Sequence, residues 1–469
     1  MSSATPVRPL ADAPAVRSWS TPRWLAVLGA AIVLLVTALT LLVAASAGAA
    51  RDGFDVIDQQ AAPQVRTTTD LYFALSDMDA RAAAALLVGT APDLDTLRQY
   101  ALTVYEERRQ QADHDLAVLG GDGSLLDRLG SYESLTAQAF LINVQGNDPI
   151  AGPSAAVLSL YRQATDTMHG ILADVRTLTD HENAMLNSVY TDRRAAVGTI
   201  DIWVRLVGAA TVVVLLVTQF VLYRRQRRRI NLALLAATLL TLLLATISVN
   251  ALAGAMGQLT AAKSDAFDSI VTLSEARAVS YAANADESRY LLDPQRASRY
   301  QQAFLDESQS VLTVPAASLA DYEPAVFDAM DAYHNNQAVI AFGGDLGTEM
   351  RNITFPGERA AAERTLAAYQ SYQVDDQTLR GMVTGAEADP AATVAFDVGT
   401  TQSDPDYDFA AYDEALGSLI QINQLAFDVA VHNGQSDISP WTVPLPVGGA
   451  VLVLLLAAVG IGPRIAEYR

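Results

Sequence analysis

Four long apolar runs that contain no charged residue and no histidine constrain this 469-residue chain more than any other feature. They extend over Trp24–Ala50, Leu206–Tyr223, Ile230–Ala262 and Ile438–Pro463. Each run holds the roughly 18 or more mostly apolar residues that cross a bilayer core as an α helix. The core of the first run, Leu25–Ala45, exceeds the ~7–15 residues of a signal-peptide core, so we interpret it as a retained anchor. The sequence therefore predicts four transmembrane helices.

The positive charges next to these runs predict the orientation of the chain. Short cytoplasmic loops are enriched in Arg and Lys. The residues that carry this prediction are Arg224, Arg225, Arg227, Arg228 and Arg229 between the second and third runs, with Arg464 and Arg469 in the C-terminal tail. Four crossings then place both termini in the cytoplasm of a cell whose plasma membrane the chain spans. The same arginines are candidates for contact with anionic lipid or a cytoplasmic protein.

The two long segments between the membrane runs are strongly acidic and are therefore expected outside the cell. Residues 51–202 contain 22 acidic and 11 basic residues, and residues 253–440 contain 28 and 9. So acidic an exterior argues against a nucleic-acid partner. The predicted organisation is a cytoplasmic tail 1–23, membrane helix 24–47, outer domain 48–202, membrane helix 203–223, Arg loop 224–229, membrane helix 230–252, outer domain 253–440, membrane helix 441–462 and cytoplasmic tail 463–469.

Apolar residues in the first outer segment recur at alternating steps of four and three, the period of a helix bundle. Leu71, Met78, Met168 and Val175 belong to this seam and are expected in the core. Breaks rich in Gly and Pro at 89–93, 120–123 and 146–153 divide the segment into four helices, of which the first and last continue into the membrane.

The second outer segment predicts helices at 255–292, 295–312, 323–342, 357–384 and 408–433, with long loops at 343–357 and 385–408. Because helix, outer domain and helix occur twice in the same sense, the fold class expected is an all-α membrane protein. It would have four transmembrane helices and two extracytoplasmic helical-bundle domains, in a tandem parallel duplication.

Motifs of enzymes and of cofactor sites are not found in the sequence. It contains no G-x-S-x-G, no H-E-x-x-H and no phosphate-binding G-x-x-x-x-G-K-[ST], and no cysteine. Its five histidines are not paired at metal-ligand spacing. Asp404–Asp408 begins like a calcium loop but lacks the glycine and glutamate that such a loop needs. We therefore expect no catalytic residue, no metal and no cofactor.

Charged residues cluster near the start of each outer segment: Asp77, Asp79 and Arg81 in the first, and Asp286, Glu287 and Arg289 in the second. At helical spacing, local ion pairs on a solvated face are one interpretation. A contact surface for an extracellular partner is the other.

The layout, together with Tyr412–Val431 ("YDEALGSLIQINQLAFDVAV") and the C-terminal "GPRIAEYR", resembles the actinobacterial GlnX-type four-helix transmembrane proteins. That resemblance implies two partners, an extracytoplasmic solute-binding lipoprotein for glutamine-type amino acids and the cytoplasmic Ser/Thr kinase PknG. It implies a non-enzymatic signalling adaptor that relays extracellular glutamate or aspartate status between them.

Two other functions fit the same layout. One is a structural or accessory subunit of an envelope or amino-acid uptake complex. The other is a sensor that binds a small ligand directly between its outer helices. Charged residues are missing from all four membrane runs, which disfavours a permease.

Overall fold

The computed structural model describes residues 21–120, 123–226, 231–337, 339–384, 389–398 and 405–466. These residues form helices and loops, without a strand among them. The α helices are α1 Thr21–Val56, α2 Ala62–Val88, α3 Asp95–Val118, α4 Gly123–Gly146, α5 Ala155–Gln226, α6 Leu232–Thr260, α7 Asp268–Leu292, α8 Ala297–Val311, α9 Leu319–Asn335, α10 Gly344–Asn352, α11 Glu358–Thr384, α12 Pro390–Asp397, α13 Pro405–Thr442 and α14 Pro444–Ala466.

The chain divides into two compact units. The membrane unit contains Met1–Arg51, Arg193–Ala255 and Ser436–Arg469, and the helical unit contains Asp52–Asp192 and Met256–Gln435. All four points at which the chain passes from one unit to the other fall inside α helices, namely α1, α5, α6 and α13.

Four helical stretches of the described chain are long and apolar enough to cross a membrane, which confirms the predicted number of spans. Their apolar cores meet in a cluster that includes Ile32 from α1, Leu215 from α5, Leu234 from α6 and Val453 from α14. Residues on the opposite faces, such as Leu34 at 68% exposure, are accessible, as expected of side chains that contact lipid.

Small and polar residues bring the membrane helices close together. A Cβ atom on Gly449 would lie 2.5 Å from Leu244, so glycine allows α14 to approach α6. Asn231 donates from its side-chain amide to the backbone oxygen of Gly460 at 2.8 Å, and its side-chain oxygen caps the start of α6. Such small-residue contacts and interhelical hydrogen bonds are how helices associate in lipid.

In the helical unit, α2 and α7 lie at the centre. They pack along each other, α3 also packs on α2, and α8 and α10 also pack on α7. Both are buried on most of their faces, and both are rich in alanine, whose small side chain permits close packing. The predicted core residues Leu71, Met78, Met168 and Val175 are each fully buried, which confirms the seam.

The two outer segments were expected as two domains, but they form one compact unit. The reason is the extensive burial of α2 and α7: besides packing on helices of its own segment, each of them packs along the other. The three predicted breaks of the first segment and its four helices are confirmed, with α5 unbroken from Ala155 to Gln226.

The predictions for the second segment missed two short helices. The expected loop 343–357 contains α10, and α12 lies in the expected acidic loop 385–408. Aromatic rings pack α13 and α2 on the central helix α7: Tyr281 of α7 contacts Phe73 of α2 at 5.1 Å and Phe409 of α13 at 4.8 Å between ring centroids.

Both outer segments begin with the same order of elements. A π-helical turn (Ile57–Ala61 or Ala261–Phe267) leads into a long central helix, α2 or α7. A short 3-10 helix with proline at its start then leads into the next α helix, α3 or α8.

Candidate functional site

A buried guanidinium joins the two outer segments at the centre of the helical unit. Arg289 on α7 is 1% exposed, donates to Asp79 on α2 and to Asp286 on its own helix at 2.5 Å, and donates from Nε to the Tyr161 hydroxyl of α5 at 3.1 Å. Tyr132 of α4 donates to the other oxygen of Asp79 at 3.0 Å. Four helices from both segments therefore meet on a single ionic cluster.

This cluster contains more acid than base. Asp79, Asp286 and Glu307 all lie within electrostatic range of Arg289 or of one another. Burial raises the pKa of Asp286, and Arg289 opposes the shift only in part. Burial, reinforced by Asp286, also raises the pKa of Glu307 well above its ordinary value. Burial and Arg289 together lower the pKa of His169, which disfavours a positively charged imidazole in this cluster.

A second cluster lies around Asp77 on α2. Its carboxylate accepts from Arg81 Nε at 3.1 Å and from Arg108 Nε of α3 at 2.6 Å. Arg108 also stacks on the Phe73 ring at 4.7 Å, and Arg277 of α7 stacks on the same ring at 4.1 Å. Burial of the arginine stems and their charge pairing fixes α2 between α3 and α7.

A third cluster surrounds Glu287, which is fully buried. Tyr372 of α11 donates to Glu287 Oε2 at 3.3 Å, and the neighbouring residue Ser288 donates to Asp397 of α12 at 2.9 Å. Burial, followed by the charges of Asp376 and Asp397, raises the pKa of Glu287 well above its usual range. The consecutive positions 286–289 on α7 thus connect α2 on one side with α11 and α12 on the other.

Further ion pairs hold the segments together nearer the surface. Arg162 of α5 forms two hydrogen bonds, at 2.7 and 2.5 Å, with Asp293, the residue that follows α7. Arg176 of α5 lies 2.6 Å from Glu275 of α7. These bidentate or part-buried pairs have the geometry in which Arg–carboxylate contacts contribute most.

The structure places the candidate partner-contact residues inside the protein instead of on a solvated face. Asp77, Asp79, Asp286, Glu287 and Arg289 are each at most 2% exposed, and the Arg81 side chain is 12% exposed. Local ion pairs do form, between Asp77 and Arg81 and between Asp286 and Arg289. The expectation of a solvated face was wrong because the two segments pack on each other and enclose these side chains. Their contact with an extracellular partner stays a prediction.

The structure describes only some of the arginines that the sequence analysis assigned to the cytoplasmic side. Arg224 lies in α5 with its guanidinium 5.2 Å from the Phe220 ring centroid. Arg225 and Arg464 fall within α5 and α14. Arg227, Arg228, Arg229 and Arg469 lie outside the described residues. Their role in topology or in contacting a cytoplasmic partner stays a prediction.

Several members of the buried network were not singled out in the sequence. Tyr161 is one of them, and its hydroxyl accepts from Arg289. Asp376 and Arg380, spaced i and i+4 on α11, form an ion pair that this spacing indicates. Glu307 and Tyr132 carried no local signal. Among the described residues, no group of three or more His, Cys, Asp or Glu side chains is arranged to hold a metal ion.

Comparison with known protein families gives a match to one part of the chain. Residues 53–191, which include α2–α4 and the first part of α5, match the model of an actinobacterial sensor domain. Neither the curated proteins nor the solved structures that were searched gave a match. Together with the four helices that are long and apolar enough to span a bilayer, the match supports an actinobacterial sensor-type membrane protein.

Proposed function

We propose that this chain is a non-enzymatic transmembrane signalling adaptor. Two observations together carry the proposal. Residues 53–191 match a sensor domain, and at all four points where the chain passes between the helical unit and the membrane unit it does so within an α helix. A change in packing at the buried ionic network then has a covalent helical route to the other side of the bilayer. Small helix shifts of this kind transmit signals between bistable packings.

The acidic helical unit lies outside the cell in this proposal, and the Arg-rich hairpin lies inside. The charge asymmetry supports it: the two outer segments carry an excess of 30 acidic residues, from 22 − 11 = 11 and 28 − 9 = 19, whereas residues 224–229 carry five arginines and no acid. In this proposal a separate cytoplasmic protein produces the output.

For the partners, we propose an extracytoplasmic solute-binding lipoprotein and a cytoplasmic Ser/Thr kinase, so that glutamate or aspartate outside the cell sets kinase output inside. The resemblance to GlnX-type proteins and the sensor-domain match support this assignment. Internal duplication is part of the proposal. The repeated order of π-helical turn, central helix, proline-started 3-10 helix and helix supports it.

The orientation is tested by cysteine labelling, because the natural chain contains no cysteine. Ser131→Cys and Asp328→Cys, both at exposed positions of the helical unit, should react in intact cells with a membrane-impermeant maleimide. Gln226→Cys should react only after the cells are opened. Replacing the five arginines of 224–229 with Gln should give mixed orientations, so that each of the three cysteine variants is labelled in part in intact cells. Labelling of Gln226→Cys in intact cells, with protection of the other two, would overturn the orientation.

The relay itself is tested by copurification and by kinase output. Purification from membranes should recover a solute-binding lipoprotein and a kinase, and deletion of the gene should abolish the response of kinase activity to external glutamate or aspartate. Recovery of permease and ATPase subunits, with an unchanged kinase response, would instead favour an accessory subunit of an uptake complex.

A further inference from the structure

A pocket of about 270 Å³ opens in the helical unit between the end of α7, the start of α8 and α9, and α11. Its polar lining includes Tyr290, Gln301, Glu323, Gln373, Asp376 and Arg380. All of these residues belong to the second outer segment, beyond the stretch that matches the sensor-domain model. The volume suits a small molecule.

Gln373 carries the first indication that a ligand belongs here. This residue is 2% exposed, yet neither its side-chain oxygen nor its side-chain nitrogen has a hydrogen-bond partner among the described residues. Buried polar groups in folded proteins are nearly always paired, and each exception calls for an explanation. An amide that lines a pocket and offers both an unused donor and an unused acceptor is explained by a ligand that uses them.

Arg380 supplies a positively charged edge to the same pocket. Its Nε donates to Asp376 Oδ2 at 2.9 Å, and its Nη2 lies 2.7 Å from Asp376 Oδ1. The guanidinium is also stacked on the rings of Tyr290 and Phe304, at 4.5 and 5.0 Å from their centroids. Nη1 has no hydrogen-bond partner within the described part of the chain. The guanidinium is thus held rigidly with donor capacity left over, a geometry suited to a carboxylate.

Glu323 supplies the opposite charge. Its carboxyl group lines the pocket from α9, and burial raises its pKa without any offsetting contribution from a described basic group. The carboxylates of Glu323 and Asp376 would repel a purely anionic ligand, and the guanidinium of Arg380 would repel a purely cationic one. A molecule with one group of each sign matches all of them.

We propose that this pocket binds a small zwitterion of the α-amino-acid class. The ligand carboxylate accepts from Arg380 Nη1 and the Gln373 amide nitrogen. The ligand ammonium donates to Glu323 and to the Gln373 side-chain oxygen. This assignment goes beyond the adaptor function, because it makes the chain itself a receptor and requires neither the lipoprotein nor the kinase.

The test uses the purified full-length chain in lipid nanodiscs and needs no partner protein. Thermal unfolding and isothermal titration calorimetry are run with each standard protein amino acid, and with the deaminated acid and the decarboxylated amine derived from it. At least one amino acid is expected to bind and raise the unfolding temperature, whereas its acid and amine analogues, each lacking one charge, bind about tenfold or more weakly.

Two pocket variants and one control locate the binding. Gln373→Leu removes an unpaired amide with a side chain of similar size, so it preserves the fold and should weaken binding about tenfold. Glu323→Gln should weaken binding similarly. Asp328→Asn removes one charge from an exposed position of the same helix, α9, and should leave binding unchanged.

The proposal is overturned if no amino acid binds, if an acid or amine analogue binds as tightly as its parent, or if both pocket variants retain full affinity. Because binding is measured on the isolated chain, these results are independent of the relay. If the chain binds an amino acid but no kinase copurifies with it from membranes, the pocket proposal stands and the adaptor proposal fails.

Discussion

Arg289 brings a full positive charge to a position where its side chain is 1% exposed. Removing a guanidinium from such a site leaves buried carboxylates without their cation, whereas an exposed ion pair contributes little. The sequence could not reveal this. Charged side chains are mostly exposed, and Asp79 and Arg289 are 210 positions apart, so only the packing of the two segments brings them together.

Replacing Arg289 with Met should therefore destabilise the helical unit severely, by about 3–5 kcal/mol, because Asp79 and Asp286 lose their common partner. The matched control is Arg299→Met. Arg299 is 54% exposed and lies 3.3 Å from Asp166, so its loss should cost about 0–1 kcal/mol. Denaturant unfolding in nanodiscs measures both, and equal losses would show that the Arg289 cluster contributes no more than a surface pair.

Buried acids should make the unit less stable as the pH rises. Burial, reinforced by Glu275, raises the pKa of Asp345 on α10 to about 8, from an ordinary value of 3.8. Between these two values the folded protein keeps a proton that the unfolded chain releases. The stability that Asp345 contributes is thus fully present below pH 3.8 and is lost as the pH rises through about 8.

Asp345→Asn should raise the unfolding temperature more at pH 9 than at pH 5, since asparagine stays neutral throughout. Asp328→Asn, at an exposed position on α9, should show no such difference. A gain for Asp345→Asn that is the same at both pH values would argue that the carboxyl titrates normally in the folded protein.

At the level of elements, glycine and proline marked the helix ends well. The break after α2 depends on Gly89, whose φ of 63° suits glycine and whose hypothetical Cβ would lie 2.7 Å from the Pro149 oxygen. The loop between α4 and α5 closes on this end: Thr90 N donates to Asp148 O at 3.1 Å, and Ala151 N to Leu87 O at 2.9 Å.

Gly89→Ala should consequently lower stability, because it adds strain at a positive φ and a clash with backbone. Gly130→Ala is the opposite case. Gly130 lies within α4, where an added Cβ meets nothing within 4 Å, so the substitution should stabilise by about 1 kcal/mol. Thermal unfolding of the two variants should move in opposite directions, and a neutral Gly89→Ala would refute the strain argument.

The same glycine signals misled in the second segment. Gly343, Gly344 and Gly347 suggested a loop, yet α10 begins at Gly344. Tertiary contacts secure this nine-residue helix: Glu349 accepts from Asn423 of α13 at 3.4 Å, and Asn352 donates to Ser269 of α7 at 2.9 Å. Short helices that depend on distant partners leave no periodic pattern for a sequence to display.

At the level of the whole molecule, hydropathy and charge were enough to predict four membrane helices and an all-α fold, because both follow from local composition. They were not enough to predict that the two outer segments share one core. An amphipathic stripe indicates that a helix packs, but not against which segment. Here α2 packs on α3 of its own segment and also on α7 of the other segment. The pocket was missed for the same reason, since it needs α7, α8, α9 and α11 together.

The shared core predicts how the two segments behave apart. Residues 52–192 expressed alone should not unfold cooperatively, because the face of α2 that contacts α7 would be exposed and Asp79 would lose Arg289. Coexpressed with residues 256–435, they should form a one-to-one complex with a single sharp transition, and Arg289→Glu should weaken that complex. If 52–192 alone unfolds sharply at the temperature of the complex, the stretch that matches the sensor-domain model is a self-sufficient domain. The ionic contacts between the segments would then contribute little to its stability.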